Sequence, residues 1–179
     1  MRRLLIFALA CAPLLASCVV SRAAAPVSGP IELALSDVEG SPRRLSDWGG
    51  RVRVVFFFAT WCPSCVAELP FMRRLDQRLG AQGGQVIGVS LDQMGAVAVA
   101  PFAEFHGLEF PVLVGDEGLM EGESGFGQIR AVPTTVLLDE RGRELGRWVG
   151  DLGDDFLEQL EAAQAQASRA RLASRGASR

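Results

Sequence analysis

Apolar and polar positions divide the chain into stretches whose periods predict most of its elements. Ile31-Glu32-Leu33-Ala34-Leu35 alternates, and Glu39-Gly40-Ser41-Pro42 interrupts the run with turn residues before Arg43-Arg44-Leu45, which predicts a small hairpin. Val52 to Ala59 (VRVVFFFA) is β-branched and aromatic with a single charge, as expected of a central strand covered on both faces. It feeds directly into Thr60-Trp61-Cys62-Pro63-Ser64-Cys65 and a helical period to about Leu79, closed by Gly80 and Gly83-Gly84. Gln85 to Leu91 predicts a second core strand, Ala96 to Phe105 a helix ending near Gly107, and Phe110 to Val114 a short strand. Gly115 to Gly127 holds five glycines and is expected to be mostly loop. Thr134 to Leu138 and Leu145 to Val149 predict a terminal hairpin turned at Asp139-Glu140-Arg141-Gly142, with a closing helix from Asp154 to about Gln166, N-capped by Asp154 or Asp155. The order of strand, turn, helix and strand sets up a βαβ unit, so the expected class is α/β.

The first residues follow a different pattern. Arg2 and Arg3 precede an apolar run from Leu4 to Leu15 that is too short, and too marked by Pro13, to span a bilayer, which predicts an export signal. Two processing sites compete. Leu15-Ala16-Ser17-Cys18 resembles a bacterial lipobox and makes Cys18 the expected lipid anchor, while Ala23-Ala24-Ala25 before Pro26 suits ordinary signal cleavage. The lipobox is preferred because it lies directly at the end of the apolar run. On that reading residues 1–17 are the signal, 18–30 a flexible tether rich in small residues, and Val19 after the cysteine favours an outer membrane where the cell has one.

Of 179 residues this leaves roughly 150, enough to bury about 68 to 70% of the unfolded surface without a dense set of disulfides. At 49% hydrophobic and 22% charged the composition is that of a folded globule. Residues 31–164 carry 11 Arg against 21 acids, a balance of −10, which excludes an electrostatic nucleic-acid binder. Residues 165–179 carry four Arg and no acid, and Ser168 to Arg179 is expected to fray as a low-complexity tail.

Cys11 is removed at either cleavage site, so Cys62 and Cys65 are the only pair inside the folded domain, in a compartment where disulfides persist. A zinc site would need two further ligands, and His106 is the single histidine. A purely structural bridge across so short a loop would add little stability, because the entropic gain grows with loop length. Redox exchange remains, and it needs no cofactor beyond the two sulfurs. Cys62 opens a helix, where free N–H groups and the positive dipole end favour thiolate over thiol, and Pro63 suits a first turn that has no use for its missing donor. Cys65 shares a helix face with Leu69, Met72, Leu75 and Leu79, so it is expected to be the buried, resolving thiol. Glu68, three residues past Cys65, lies on the adjoining face and is either its proton acceptor or an ordinary exposed helix glutamate. Pro70 is a structural kink on any reading. Val132-Pro133-Thr134-Thr135 places a proline at the mouth of a strand, where a cis bond would expose backbone edges beside the cysteines.

Residues 31 to about 164 resemble the TlpA/ResA-like thiol:disulfide oxidoreductases of the thioredoxin superfamily. The likeness lies in Arg44-Leu45-Ser46-Asp47-Trp48-Gly49-Gly50, Phe58 to Pro70 around Trp61-Cys62-Pro63-Ser64-Cys65, Val86-Ile87-Gly88-Val89-Ser90, Phe110-Pro111-Val112, and Gly127 to Asp139 with Val132-Pro133-Thr134-Thr135. It implies a thioredoxin fold with an N-terminal hairpin extension and a central mixed sheet flanked by helices. It also implies Cys62 as nucleophile, Cys65 as resolving thiol, Glu68 in proton handling, a cis Pro133, and a substrate rim of Trp61, Pro63, Val132 and Pro133. The expected partners are a disulfide-bearing envelope protein and a membrane electron donor, with cytochrome c maturation among the processes such proteins serve. The chain departs in carrying Phe56 where thioredoxins proper have a buried aspartate, which leaves Glu68 to act alone, and Ser64 where strong oxidants have histidine, which leans the direction towards reduction. Two alternatives are a thiol peroxidase on the same fold and a copper-handling module of the Sco type. Thr60, two residues before Cys62, does not match the peroxidase spacing, and His106 falls on a different helix from the cysteines.

Overall fold

The computed structural model describes residues 29–153 and 155–177. The leader, with both cleavage sites, Cys11 and Cys18, lies outside the described residues, as does Asp154. One mixed sheet organises the domain. Its strands are β1 (Ala34–Asp37), β2 (Pro42–Arg44), β3 (Arg53–Phe58), β4 (Gln85–Ser90), β5 (Val112–Val114), β6 (Thr134–Leu138) and β7 (Glu144–Val149), in the spatial order β2-β1-β5-β4-β3-β6-β7. β3, β4 and β5 are parallel neighbours, joined by α1 (Pro63–Ala81) and α2 (Ala96–Phe105), while β6, β7 and the β1–β2 hairpin run antiparallel to the strands they pair.

The alternation of β3 sends its apolar side chains to both faces of the sheet. Val54, Phe56 and Phe58 point to one face, under Cys65, Leu69, Met72 and Leu79 of α1 and Phe156 and Leu160 of α4 (Asp155–Ala177). Val55 and Phe57 point to the other face, covered by Leu45, Leu119, Phe126 and the apolar positions Ile31, Leu33 and Leu35. Both layers exclude water, so every position of β3 is buried. The one charge in the run, Arg53, is 3% exposed and turns its guanidinium into the carbonyls of Leu45 (2.9 Å) and Asp139 (3.1 Å).

Three elements differ from the sequence expectation. The glycine-rich stretch after β5 contains a short helix, α3 (Glu117–Glu121), which the Asp116 carboxylate caps by accepting from Leu119 N at 2.9 Å and which Gly122 ends at φ +85°. The strand expected from Phe110 begins at Val112. The closing helix continues past Gln166 to Ala177, so residues 165–177 are helical rather than frayed. Alanine, arginine and leucine are among the strongest helix formers in water, and Ala167 is buried within this stretch. Over residues 165–177 the low complexity reads as helical composition.

Candidate active site

The C-terminal end of β3 delivers the chain into the redox turn. Cys62 N donates to Ala59 O (3.1 Å), and Cys62 then serves as N-cap of α1 with extended backbone, its Sγ accepting from Cys65 N at 3.2 Å. Pro63 stands at the first helical position. Cys62 and Cys65 are joined as a disulfide, with their Cα atoms 5.3 Å apart. Cys65 is fully buried against the sheet; Cys62 is also enclosed, at 4% exposure, because its sulfur faces inward to Cys65. Around that sulfur lie Ser64 Oγ at 3.3 Å and the Val132 carbonyl oxygen at 3.7 Å.

The Val132 carbonyl is there because β3 and β6 are antiparallel neighbours, so the residues following one strand meet those preceding the other. The Val132–Pro133 bond is cis, and Pro133 is buried while Trp61 and Pro63 stand out into solvent, Trp61 at 70%. Of the four residues expected at the substrate rim, Val132 is the one whose carbonyl reaches the Cys62 sulfur, while Trp61 and Pro63 are exposed next to it in the chain and Pro133 is buried. His106, by contrast, caps the C-terminal end of α2, its ring tilted against Phe102 at 4.4 Å between ring centres. Phe102 in turn packs on Phe58 at 5.8 Å between ring centres, and among the described residues His106 does not gather with the two cysteines into a metal-holding group.

α1 continues through Pro70 without interruption, and Glu68 sits one turn beyond Cys65. Its side chain is half-buried, and Oε2 is buried without a hydrogen-bond partner. With Phe71, Leu152, Gly153, Phe156 and Leu157 it lines a cavity of about 390 Å³. Burial pushes the Glu68 carboxyl up to about 7, the Asp151 charge adds to the rise, and the Leu152 backbone N–H partly opposes it. The sequence placed Glu68 beside Cys65 but not the 151–153 loop that closes over it. It also missed Asp92, whose carboxylate receives Thr60 just ahead of the cysteines (2.9 and 2.6 Å). An aspartate following a predicted strand by two residues carried no signal of its own.

The profile of the AhpC/TSA family matches residues 25–143. The chain belongs to the AhpC/TSA family. It is 33% identical over 112 residues to the thiol-disulfide oxidoreductase ResA of Geobacillus thermodenitrificans, a match covering 63% of this chain and 62% of that one, just under two thirds of the relative's length. The ResA of Halalkalibacterium halodurans is 30% identical over 130 residues, covering 73% of this chain and 72% of the relative. Among solved structures, a thiol:disulfide interchange protein of the thioredoxin family from Chlorobium tepidum superposes with a TM-score of 0.66 at 27% identity, covering 79% of this chain and 99% of that one. The fold is thioredoxin-like. With the Cys62–Cys65 pair at bonding distance, the coarse activity of this family member is thiol–disulfide oxidoreduction of the ResA type.

Proposed function

We propose that this AhpC/TSA family member is an exported, lipid-anchored reductase of envelope protein disulfides, with Cys62 attacking and Cys65 resolving. The observation that carries the reading is the position of the Cys62 sulfur, at the positive end of α1 and beside the Val132 carbonyl edge, where an incoming disulfide can lie. In the reduced protein the Cys62 thiolate attacks one sulfur of the substrate disulfide, forming a mixed disulfide and releasing the other substrate sulfur as thiolate. Cys65 passes its proton to Glu68 and attacks Cys62 Sγ, which breaks the mixed disulfide. The second substrate sulfur leaves and is protonated. The substrate gains two electrons and the protein returns to the disulfide form, to be reduced again by a membrane dithiol donor. Trp61, Pro63, Val132 and Pro133 form the rim on which the substrate lies. The absence of a histidine between the cysteines supports the reducing direction, and haem-site cysteines of apocytochrome c are the substrate class that the family likeness implies.

Neither alternative gains from the site. The Thr60 hydroxyl donates to Asp92, which does not favour a peroxide-binding role, and among the described residues His106 does not gather with the cysteines into a metal-holding group. The decisive experiment is expression of Cys65→Ser in the native envelope. A dithiothreitol-sensitive adduct containing Cys62 is expected, and its mass identifies the partner. Reduction of insulin should disappear in Cys62→Ser; retained reduction overturns the assignment. Incorporation of a labelled lipid precursor that Cys18→Ser abolishes is expected for the anchor.

A further inference from the structure

We propose that Asp92 is the positioning residue of the attacking cysteine: its buried carboxylate fastens the turn at Thr60 and so keeps the Cys62 sulfur at the N-terminus of α1. The proposal rests on Cys62 being the nucleophile. Asp92 is 4% exposed. Its Oδ2 accepts from Thr60 N at 2.9 Å and from Ser90 Oγ at 2.6 Å, and its Oδ1 accepts from Thr60 Oγ1 at 2.6 Å. Ser90 closes the grip by accepting from Asp92 N at 3.1 Å.

The geometry gives this cluster leverage on the sulfur. Ser90 is the last residue of β4 and stands in register opposite Phe58, the last residue of β3, while Leu91 N donates to Phe58 O at 2.8 Å. The carboxylate therefore projects from a rigid strand end onto the segment that leaves its neighbour. Both polar donors of Thr60 go to it, which fixes that residue in rotation as well as in distance. Cys62 follows two residues later, across the turn closed by Cys62 N and Ala59 O, and a tilt at Thr60 would carry Sγ away from Cys65 N.

Sign separates two possible roles. A negative charge held close ahead of Cys62 opposes formation of the thiolate, so an electrostatic role would work against the nucleophile. A role through geometry works for it, because only a correctly placed sulfur gains from the helix end. A buried carboxylate is costly unless fully hydrogen-bonded, and here three donors meet it.

The test is the pH dependence of alkylation at Cys62 in the full-length Cys65→Ser protein, followed by mass on the Cys62 peptide so that Cys11 and Cys18 do not contribute. The parent midpoint is expected well below the ordinary thiol value of about 8.5. Asp92→Ala should raise it by about one unit, read as about tenfold slower alkylation below the midpoint. Asp92→Asn, which keeps an oxygen for Thr60 N and Ser90 while removing the opposing charge, should leave the midpoint at or below that of the parent. Thr60→Val, which keeps the carboxylate and loses one bond, should raise it by about half a unit. Folding is checked by near-UV circular dichroism. A folded Asp92→Ala protein with the parent midpoint, or Ala and Asn variants that shift alike, overturns the proposal. If Asp92→Ala does not fold, an unchanged midpoint in Thr60→Val overturns it. An ordinary midpoint in the Cys65→Ser parent overturns both the nucleophile assignment and this proposal, whereas a depressed midpoint that the variants leave in place overturns this proposal alone.

Discussion

Replacing Glu68 by glutamine should make the protein more stable and less able to turn over, with both effects tied to one proton. The carboxyl titrates at about 7 instead of the ordinary 4.5 because it is buried beside Asp151. That displacement is worth at most about 3 kcal/mol against the charged form, and solvent reaching a half-buried side chain reduces it to about 1–2 kcal/mol. The sign follows from proton counting. Between pH 4.5 and about 7 the unfolded chain releases the proton while the folded protein retains it, so stability falls across that window, and the whole penalty stands at higher pH. Glutamine carries no charge and escapes the penalty. Oxidised Glu68→Gln should therefore melt about 3–6 °C above the parent at about pH 8 and level with it at about pH 4. In stopped-flow release from a preformed mixed disulfide, the same variant should resolve about 10- to 100-fold more slowly, with the limb near neutrality missing from its pH profile. Equal melting temperatures at about pH 8 would refute the burial argument. A stabilised variant that resolves at the parent rate would refute the proton-transfer role while leaving the burial intact.

Other perturbations probe the surroundings of the site. Asp151→Asn removes a charge that raises the Glu68 carboxyl, so the neutral limb of the resolution profile should move to lower pH, measured by the same stopped-flow assay. Trp61→Ala should raise KM for a protein disulfide about tenfold while stability stays within about 0.5 kcal/mol in urea, since the ring is 70% exposed; unchanged KM would remove Trp61 from the substrate rim. Gly122→Ala should destabilise by about 1–2 kcal/mol in urea, because the residue ends α3 at φ +85° and a Cβ there would lie 2.9 Å from Gln128 N.

Burial on both faces is what made the centre of the fold legible. β3 and β4 are apolar at nearly every position because helices cover one side and the N-terminal segment and α3 the other, and such runs announce themselves without any partner in view. Cys62 at a helix start and Cys65 on the apolar face of α1 were likewise local facts. What escaped was either shorter than a period or made by distant chain. α3 is five residues long, held by one aspartate and one glycine, too brief for a hydrophobic repeat. The reach of α4 to Ala177 was obscured because Ser168 to Arg179 reads as low complexity, although its alanines and arginines favour helix. Asp92 becomes part of the site only when β4 is laid beside β3, which brings it to Thr60, 32 residues earlier. The raised carboxyl of Glu68 depends on Asp151 and Leu152, which no spacing rule connects to α1.

The pairing of β3 with β6 also decides when the chain becomes reactive in a useful way. The two cysteines lie on one short stretch and can meet as soon as the first turn of α1 forms, but the Val132 carbonyl beside Cys62 comes from 70 residues further along. A folding chain therefore carries both thiols before the carbonyl edge that flanks Cys62 in the finished sheet is in place. Until β6 docks, those thiols stand without that neighbour, and closing the sheet is the event that completes their surroundings.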